Sequence, residues 1–415
     1  MHTGVWRSLV ARVVRDDEAA GSNPVTPTMS IRGAAYVAGI FEHPRREIPD
    51  RSIFDIHTEV ALGALADAGL TMSDVDAVFC DGTAGMGTFS LVAQWGLNPT
   101  WVDNTETGGS SYLAHVGHAA AAIAAGKCSV ALVTLAGKPR TGGRSEQMRM
   151  MPGPEAAFEG MWGSGGAVNS YALAAQRHMH EYGTTSRQLA EIKVAASIHA
   201  QHNPHAYLRN VVTVDEVLES PMVSDPLRRM DCCVVTDGGG ALVVVSPEIA
   251  RSLGRTNAKI LGHGEAVKHP DNGRIDLTHT GAVWSGPRAF EEAGVGVNDV
   301  DYASIYDSFT ITVLQTIEDL GFCEKGKGGD FVSDGALVAP HGILPFNTDG
   351  GGLCNNHPSN RGGITKVIEA VRQLRGEAHP AVQVPDCQIA LAHGTGGSLG
   401  MRHGSVTLLL GQDDA

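Results

Sequence analysis

The sequence lacks the features that mark several classes of protein. Its seven cysteines include no Cys-x-x-Cys pair, so we expect no zinc ribbon in this chain. No apolar run approaches the roughly 18 residues that a membrane-spanning helix needs. A basic excess is also missing, because the formal net charge is −14, which argues against nucleic acid or a membrane as a partner. The 52 glycines follow no Gly-X-Y period, which excludes collagen.

The remaining composition is typical of an acidic globular protein with more than one domain. A chain of 415 residues is long enough to bury more than one core of ordinary size. Most cysteines lie in apolar, strand-like runs such as CSVALV, so we interpret them as reduced thiols of a cytoplasmic protein. Residues 1–28 carry Arg7, Arg12 and Arg15, which interrupt any signal-peptide core. We expect this segment to be a disordered or artefactual leader.

An internal repeat predicts the organisation of the rest of the chain. Residues 68–76 read AGLTMSDVD and residues 293–301 read AGVGVNDVD, and a single offset aligns the matching positions. In both places a helix is expected to end at Ala-Gly, before a short turn and an apolar strand. The repeat predicts two related α/β halves, 29–250 and 251–415. The first half is predicted to contain a helical insertion at about 139–225.

Local patterns within the first half predict individual elements. Apolar residues at helical spacing predict a helix from about Ile53 to Ala68. The alanine-rich segment after TETGG predicts a second helix that is entered through a Gly-Gly turn. The strand CSVALVTLA that follows is apolar throughout, which is typical of a strand covered by helices on both faces.

Four segments together resemble the thiolase superfamily, in particular its sterol-carrier-protein type branch. They are PLRRMDCCVVTDGGGALVVV (226–245), IYDSF (305–309), LPFNTDGGGLCNNHP (344–358) and LAHGTGGSLG (391–400). The resemblance covers residue 29 to the carboxyl end of the chain. It implies a five-layered αβαβα fold from two duplicated halves, a homodimer and an acyl-CoA substrate. Coenzyme A would enter as part of that substrate, and no cofactor or metal is expected to be bound by the chain itself.

The family's nucleophile is absent from the expected position. In thiolases the glycine-rich turn before the central helix carries a cysteine, whose thiolate is activated by the helix amino terminus and attacks the thioester. The matching position here is Gly109, followed by Ser110 and Ser111. Since a serine needs an adjacent base and no nucleophile-elbow pattern is present, we expect the covalent acyl-transfer mechanism to be lost.

The resemblance also implies candidate site residues. Tyr306 stands where the sterol-carrier-protein type has a histidine that faces the thioester oxygen, and His357 keeps the histidine of the family's His-Pro pair. His393, in the terminal glycine-rich turn, is a candidate base. The expected catalytic residues are therefore Tyr306, His357, His393 and Asp307, and the expected substrate-binding residues are Gly109, Ser110, Asn355, Gly394, Gly396 and Gly397.

One branch of the superfamily combines these departures, the steroid side-chain-cleaving aldolases. This chain shares TGGSSY, MDCCVVTDG, YDSF and VRQLRG with that pattern, and it departs at His357, where those aldolases have a second tyrosine. The resemblance implies retro-aldol cleavage of a β-hydroxyacyl-CoA, with a steroid or another bulky side chain as a candidate substrate. It also implies a small companion protein with an OB-fold and a zinc ribbon. The alternatives are a sterol-carrier-protein type acyltransferase and a non-catalytic subunit that binds acyl-CoA.

Overall fold

The structure is a computed structural model that describes residues 30–82, 84–142, 166–269, 276–358, 362–398 and 401–413. The predicted leader therefore lies outside the described residues. The strands are β1 (Tyr36–Glu42), β2 (Ala77–Phe79), β3 (Trp101–Asp103), β4 (Val130–Gly137), β5 (Met222–Ser224), β6 (Leu227–Arg228), β7 (Gly238–Val245), β8 (Ala258–Lys268), β9 (Tyr302–Ile305), β10 (Ile389–Ser398) and β11 (Met401–Gly411). The helices are α1 (Ile53–Ala68), α2 (Thr88–Trp95), α3 (Ser111–Ala124), α4 (Ala167–Tyr182), α5 (Ser186–Ala200), α6 (Val214–Glu219), α7 (Pro247–Ser252), α8 (Ala282–Ala293), α9 (Thr310–Asp319), α10 (Gly328–Phe331), α11 (Gly351–Cys354) and α12 (Gly363–Arg375).

The two repeated segments form the same local structure. Helices α1 and α8 end at Ala68 and Ala293, and each is followed by a glycine in the left-handed conformation, Gly69 or Gly294. A short 3₁₀ turn and a strand come next in both halves. Glycine suits the helix ends because it adopts positive φ without a steric cost. The predicted bounds of α1 are confirmed, while the boundary between the halves near residue 250 stays a prediction.

The strands of both halves join into one mixed nine-stranded sheet with the order β3-β2-β4-β7-β1-β8-β11-β10-β9. The first half supplies the strands from β3 to β1, and the second half supplies those from β8 to β9. A short antiparallel contact, between β1 residues 36–37 and β8 residues 258–259, joins the two groups. Each half therefore contributes one contiguous group of strands, and β3 lies at one outer edge of the sheet.

Helices cover both faces of each half-sheet. One face of both packs on the central helices α3 and α12 in a shared apolar core. The opposite face of the first half packs on α1, and that of the second half packs on α8. This arrangement is the predicted αβαβα fold, and it explains why CSVALVTLA is apolar throughout.

The region predicted as a helical insertion contributes α4, α5 and α6, as far as its residues are described. Helices α4 and α5 pack with α9 in a second apolar core. Within the part of the chain that the structure describes, none of the helices is long and apolar enough to cross a membrane.

Candidate active site

The turn that opens the central helix α3 is packed tightly against its neighbours. Gly108, Gly109 and Ser110 form one 3₁₀ turn directly before the helix. The Ser110 hydroxyl donates to the Thr107 carbonyl oxygen at 2.8 Å, and the Ser111 hydroxyl accepts from the Thr107 amide at 2.8 Å. Both serine hydroxyls therefore hold the turn together, and neither hydrogen bond joins a serine to a basic side chain.

The ring of Tyr306 covers Gly109. Tyr306 follows β9 directly, and only 4 % of its surface is exposed. A methyl group placed on Gly109 would lie 2.3 Å from Cε2 and 2.4 Å from Cζ of this ring. The tyrosine thus occupies the space into which a side chain at position 109 would project.

The Tyr306 hydroxyl lies 2.8 Å from Nε2 of His357, so the second half of the chain brings two predicted site residues together. The His357 amide donates to the Thr236 hydroxyl at 2.9 Å, which fixes the loop that carries the imidazole. Burial lowers the pKa of His357 to about 4, because desolvation disfavours the charged imidazolium. At neutral pH the pair therefore consists of a phenol and an uncharged imidazole.

Asp307 was predicted to be catalytic, and the structure shows where its carboxylate is held. Its carboxylate accepts from the amides of Gly352 and Leu353 at 2.7 and 3.0 Å and pairs with the Lys366 ammonium at 2.9 Å. Burial opposes the charge on Lys366, but the carboxylates of Asp307, Asp349 and Glu42 together outweigh it and raise the pKa of that lysine. Through these contacts Asp307 joins α11 and α12, and its catalytic role stays a prediction.

Asn355 was predicted to bind substrate, and its side chain is instead used within the protein. Its carbonyl oxygen accepts from Arg46 at 2.7 Å, and its amide donates to Asp349 at 2.9 Å and to Glu42 at 3.2 Å. Glu42 also accepts from Asn356 at 3.0 Å. This network connects the loop that presents His357 to β1, and substrate binding by Asn355 stays a prediction.

His393 was predicted as a candidate base, a role that stays a prediction, and its imidazole lies on the face of the sheet that packs on α8. Its neighbours Leu391 and Ala392 show the alternation: Leu391 packs in the core with α8, whereas Ala392 packs in the core with α3 and α12. Since successive strand residues point to opposite faces, His393 points away from the central helices and Gly109. There it lies 2.9 Å from the Thr407 hydroxyl, and burial lowers its pKa to about 3.

The glycines of β10 serve close packing on the central face. A methyl group on Gly394 would lie 3.0 Å from the Gly109 carbonyl oxygen, and one on Gly396 would lie 1.5 Å from the Thr107 carbonyl oxygen. Gly394, rather than His393, is therefore the residue of this turn that faces Gly109. Both glycines, like Gly397, pair with β11, so these residues form part of the wall of the site.

The cysteines offer no substitute for the missing nucleophile. Burial raises the pKa of Cys80, Cys128, Cys232, Cys323 and Cys387 to about 12 and also raises the pKa of Cys233 and Cys354. A thiol with a raised pKa is poorly ionised at neutral pH and is a weak nucleophile. Among the described residues, no group of three or more histidine, cysteine or acidic side chains is arranged to hold a metal ion.

The sequence did not indicate the residues that support the pair. Thr236 and Glu42 lie more than 60 residues from Tyr306 and His357 along the chain, in a glycine-rich segment and at a strand end. Lys366 follows His357 more closely, but it lies in an ordinary amphipathic helix. Together they hold a buried site in which the Tyr306 phenol and the neutral His357 imidazole adjoin a glycine turn. Such a site can donate hydrogen bonds to a carbonyl oxygen that gains charge, and it contains no group for covalent attack.

Comparisons with known proteins agree with this arrangement. The family described as Thiolase C-terminal domain-like matches residues 264–412. An acetyl-CoA acetyltransferase of Methanothermobacter thermautotrophicus is 34 % identical over 380 residues, which cover 88 % of this chain and 96 % of that protein. The 17-hydroxy-3-oxo-4-pregnene-20-carboxyl-CoA lyase of Mycobacterium tuberculosis is 33 % identical over 367 residues, covering 83 % of this chain and 92 % of the lyase.

A solved structure shows the same fold. The Ltp2-ChsH2(DUF35) aldolase superposes with a TM-score of 0.84 at 31 % identity, over 92 % of this chain and 99 % of that one. The relatives of this chain thus include a protein named as an acetyltransferase and proteins named as a lyase and an aldolase. The shared fold, the duplicated halves and the extent of these matches show that this chain belongs to the thiolase superfamily.

Proposed function

We propose that this protein is a lyase that cleaves the Cα–Cβ bond of a β-hydroxyacyl-CoA by a retro-aldol reaction. The products would be a ketone or aldehyde and a shorter acyl-CoA. The single observation that carries the proposal is that Gly109 stands at the position of the family's nucleophilic cysteine and is covered by the Tyr306 ring. A retro-aldol reaction needs a proton acceptor for the β-hydroxyl and donors for the enolate oxygen, but no nucleophile on the enzyme.

In this mechanism the Tyr306–His357 pair handles the developing charge. The Tyr306 hydroxyl donates to the thioester oxygen as the enolate forms, while the hydrogen bond to His357 orients it. In that route Nε2 of His357 carries the proton and donates to the phenol oxygen. The other imidazole tautomer, with Nε2 unprotonated, provides a second route, in which Tyr306 takes the proton of the β-hydroxyl as it passes its own proton to His357 Nε2. Both routes use the neutral imidazole that burial maintains.

Support for the lyase assignment also comes from the relatives. One of them is named as a 17-hydroxy-3-oxo-4-pregnene-20-carboxyl-CoA lyase, and another is named as an aldolase. A steroid or another bulky side chain is therefore the substrate class that we propose. The acetyltransferase of Methanothermobacter favours acyl transfer as a second candidate function.

We also propose a homodimer and a companion subunit. Strand β3 lies at the sheet edge with Trp101 and Val102 about two fifths exposed, and such an edge is suited to pairing with a second copy. The aldolase structure pairs its thiolase-like chain with a DUF35 partner. By analogy, we expect a small companion with an OB-fold and a zinc ribbon.

The test is product analysis by mass spectrometry. The protein, with and without its companion, is incubated with a panel of β-hydroxyacyl-CoA and β-ketoacyl-CoA thioesters. We expect a carbonyl product and a shortened acyl-CoA from the β-hydroxyacyl-CoA thioesters alone. Release of acetyl-CoA from β-ketoacyl-CoA in the presence of free coenzyme A would instead establish the acyltransferase.

A further inference from the structure

Position 109 lacks a cysteine, and it is also enclosed by the Tyr306 ring and the backbone of β10. A methyl group there would lie 2.3 Å from Cε2 of Tyr306 and 2.5 Å from the Thr395 carbonyl oxygen. Heavy atoms do not approach so closely, so a side chain at 109 would displace either the ring or the β10 backbone.

The surroundings leave the Tyr306 ring little room to move aside. Its hydroxyl is held by His357 at 2.8 Å, and only 4 % of the residue's surface is exposed. The carbonyl oxygen of Gly109 would lie 1.7 Å from a methyl group on Gly363, so the turn itself is wedged against the start of α12. The glycine turn and the ring are therefore fitted to each other.

We propose that residues 109 and 306 form a steric pair that determines the reaction class of this site. With tyrosine at 306, residue 109 has to be glycine, so the tyrosine and a nucleophilic side chain at 109 exclude each other. The steric relation stands on the contacts alone, whereas its link to carbon–carbon cleavage rests on the proposed function. Introducing a cysteine at 109 would not by itself restore acyl transfer, because the ring would block the thiolate from the thioester.

A double-mutant cycle in the full-length protein tests the steric relation. Gly109→Ala is expected to lower the melting temperature by about 4 °C, which is the order expected for one overpacked methyl group. The same substitution should cost less in the Tyr306→Ala background, where the ring is gone and only the contact with the Thr395 carbonyl oxygen remains. Tyr306→Phe is the matched control, since it keeps the ring and should leave the cost of Gly109→Ala unchanged. If Gly109→Ala yields no folded protein, the proposal predicts that adding Tyr306→Ala restores folding and that adding Tyr306→Phe does not.

A second measurement tests the consequence for acyl transfer. In Gly109→Cys combined with Tyr306→Ala, the thiolate would attack the carbonyl carbon of acetyl-CoA, forming an acetyl thioester on the protein and releasing coenzyme A, whose sulfur takes the proton. Intact-protein mass should show this acetyl group forming about tenfold faster or more than in Gly109→Cys alone. Equal acetylation of both variants, or equal costs of Gly109→Ala in all backgrounds, would overturn the proposal. Neither readout uses the cleavage reaction, so these results are distinct from a failure of the proposed lyase function.

Discussion

The Tyr306→Phe substitution removes one oxygen atom from the centre of the site. The ring that packs on Gly109 remains, so the surrounding structure is preserved. The lost contact is the 2.8 Å hydrogen bond to His357. One such bond typically contributes about 1 kcal/mol to the free energy of unfolding, and we expect a loss of this size in urea titrations.

The expected effect on catalysis is larger than the effect on stability. A preorganised donor to a developing oxyanion is typically worth about 10²-fold or more in rate, which corresponds to about 2.7 kcal/mol. The loss should appear in kcat rather than only in KM, because the donor interaction strengthens as charge develops in the transition state. Steady-state kinetics on the β-hydroxyacyl-CoA identified by product analysis provide the measurement.

The second member of the pair supplies the internal check. His357→Ala is expected to lower kcat in the same direction, and the double variant should be less than additive, because both residues serve one oxyanion. Cleavage by Tyr306→Phe at nearly the parent rate would refute the reasoning. The hydroxyl would then have only a structural role, in holding His357.

Three further outcomes follow from the structure. Asp307→Asn leaves the Lys366 ammonium without its partner and should destabilise the fold by about 3–5 kcal/mol in urea titrations, whereas Asp307→Asn with Lys366→Met should recover much of the loss. Because burial lowers the pKa of His357 to about 4, kcat should show no acid limb near pH 6.5. A titration of activity centred near pH 6.5 would contradict the burial argument. His357 binds a proton below about pH 6.5 in the unfolded chain but only near pH 4 in the folded protein, so its contribution to the free energy of unfolding should fall as the pH drops through that window. Val102→Lys on the exposed edge of β3 should weaken the proposed homodimer in light scattering, and a parent protein that is monomeric at micromolar concentration, with and without its companion, would rule the dimer out.

Features that depend on neighbours in sequence could be predicted from the sequence. Helix α1 begins and ends at the expected residues because Ser52 caps its amino terminus and Gly69 adopts the left-handed conformation at its end. The duplication was visible because both copies retain the same helix end, turn and strand. The absence of a thiol at position 109 could also be read from the sequence, since it concerns one position in a recognisable turn.

The roles of the site residues depended on the tertiary structure. Asp307 was predicted to be catalytic from its place in the YDSF segment, but its partner Lys366, which lies 59 residues away on α12, could not be predicted. His393 follows the expected motif, yet the alternation of β10 directs its imidazole to the outer helices, while Gly394 faces the turn. The sequence indicates which residue types are present, but the direction of a side chain on a buried strand and the partner of a buried charge are set by how strands and helices pack against each other. For the same reason, only the packed fold shows that the Tyr306 ring fills the space at Gly109.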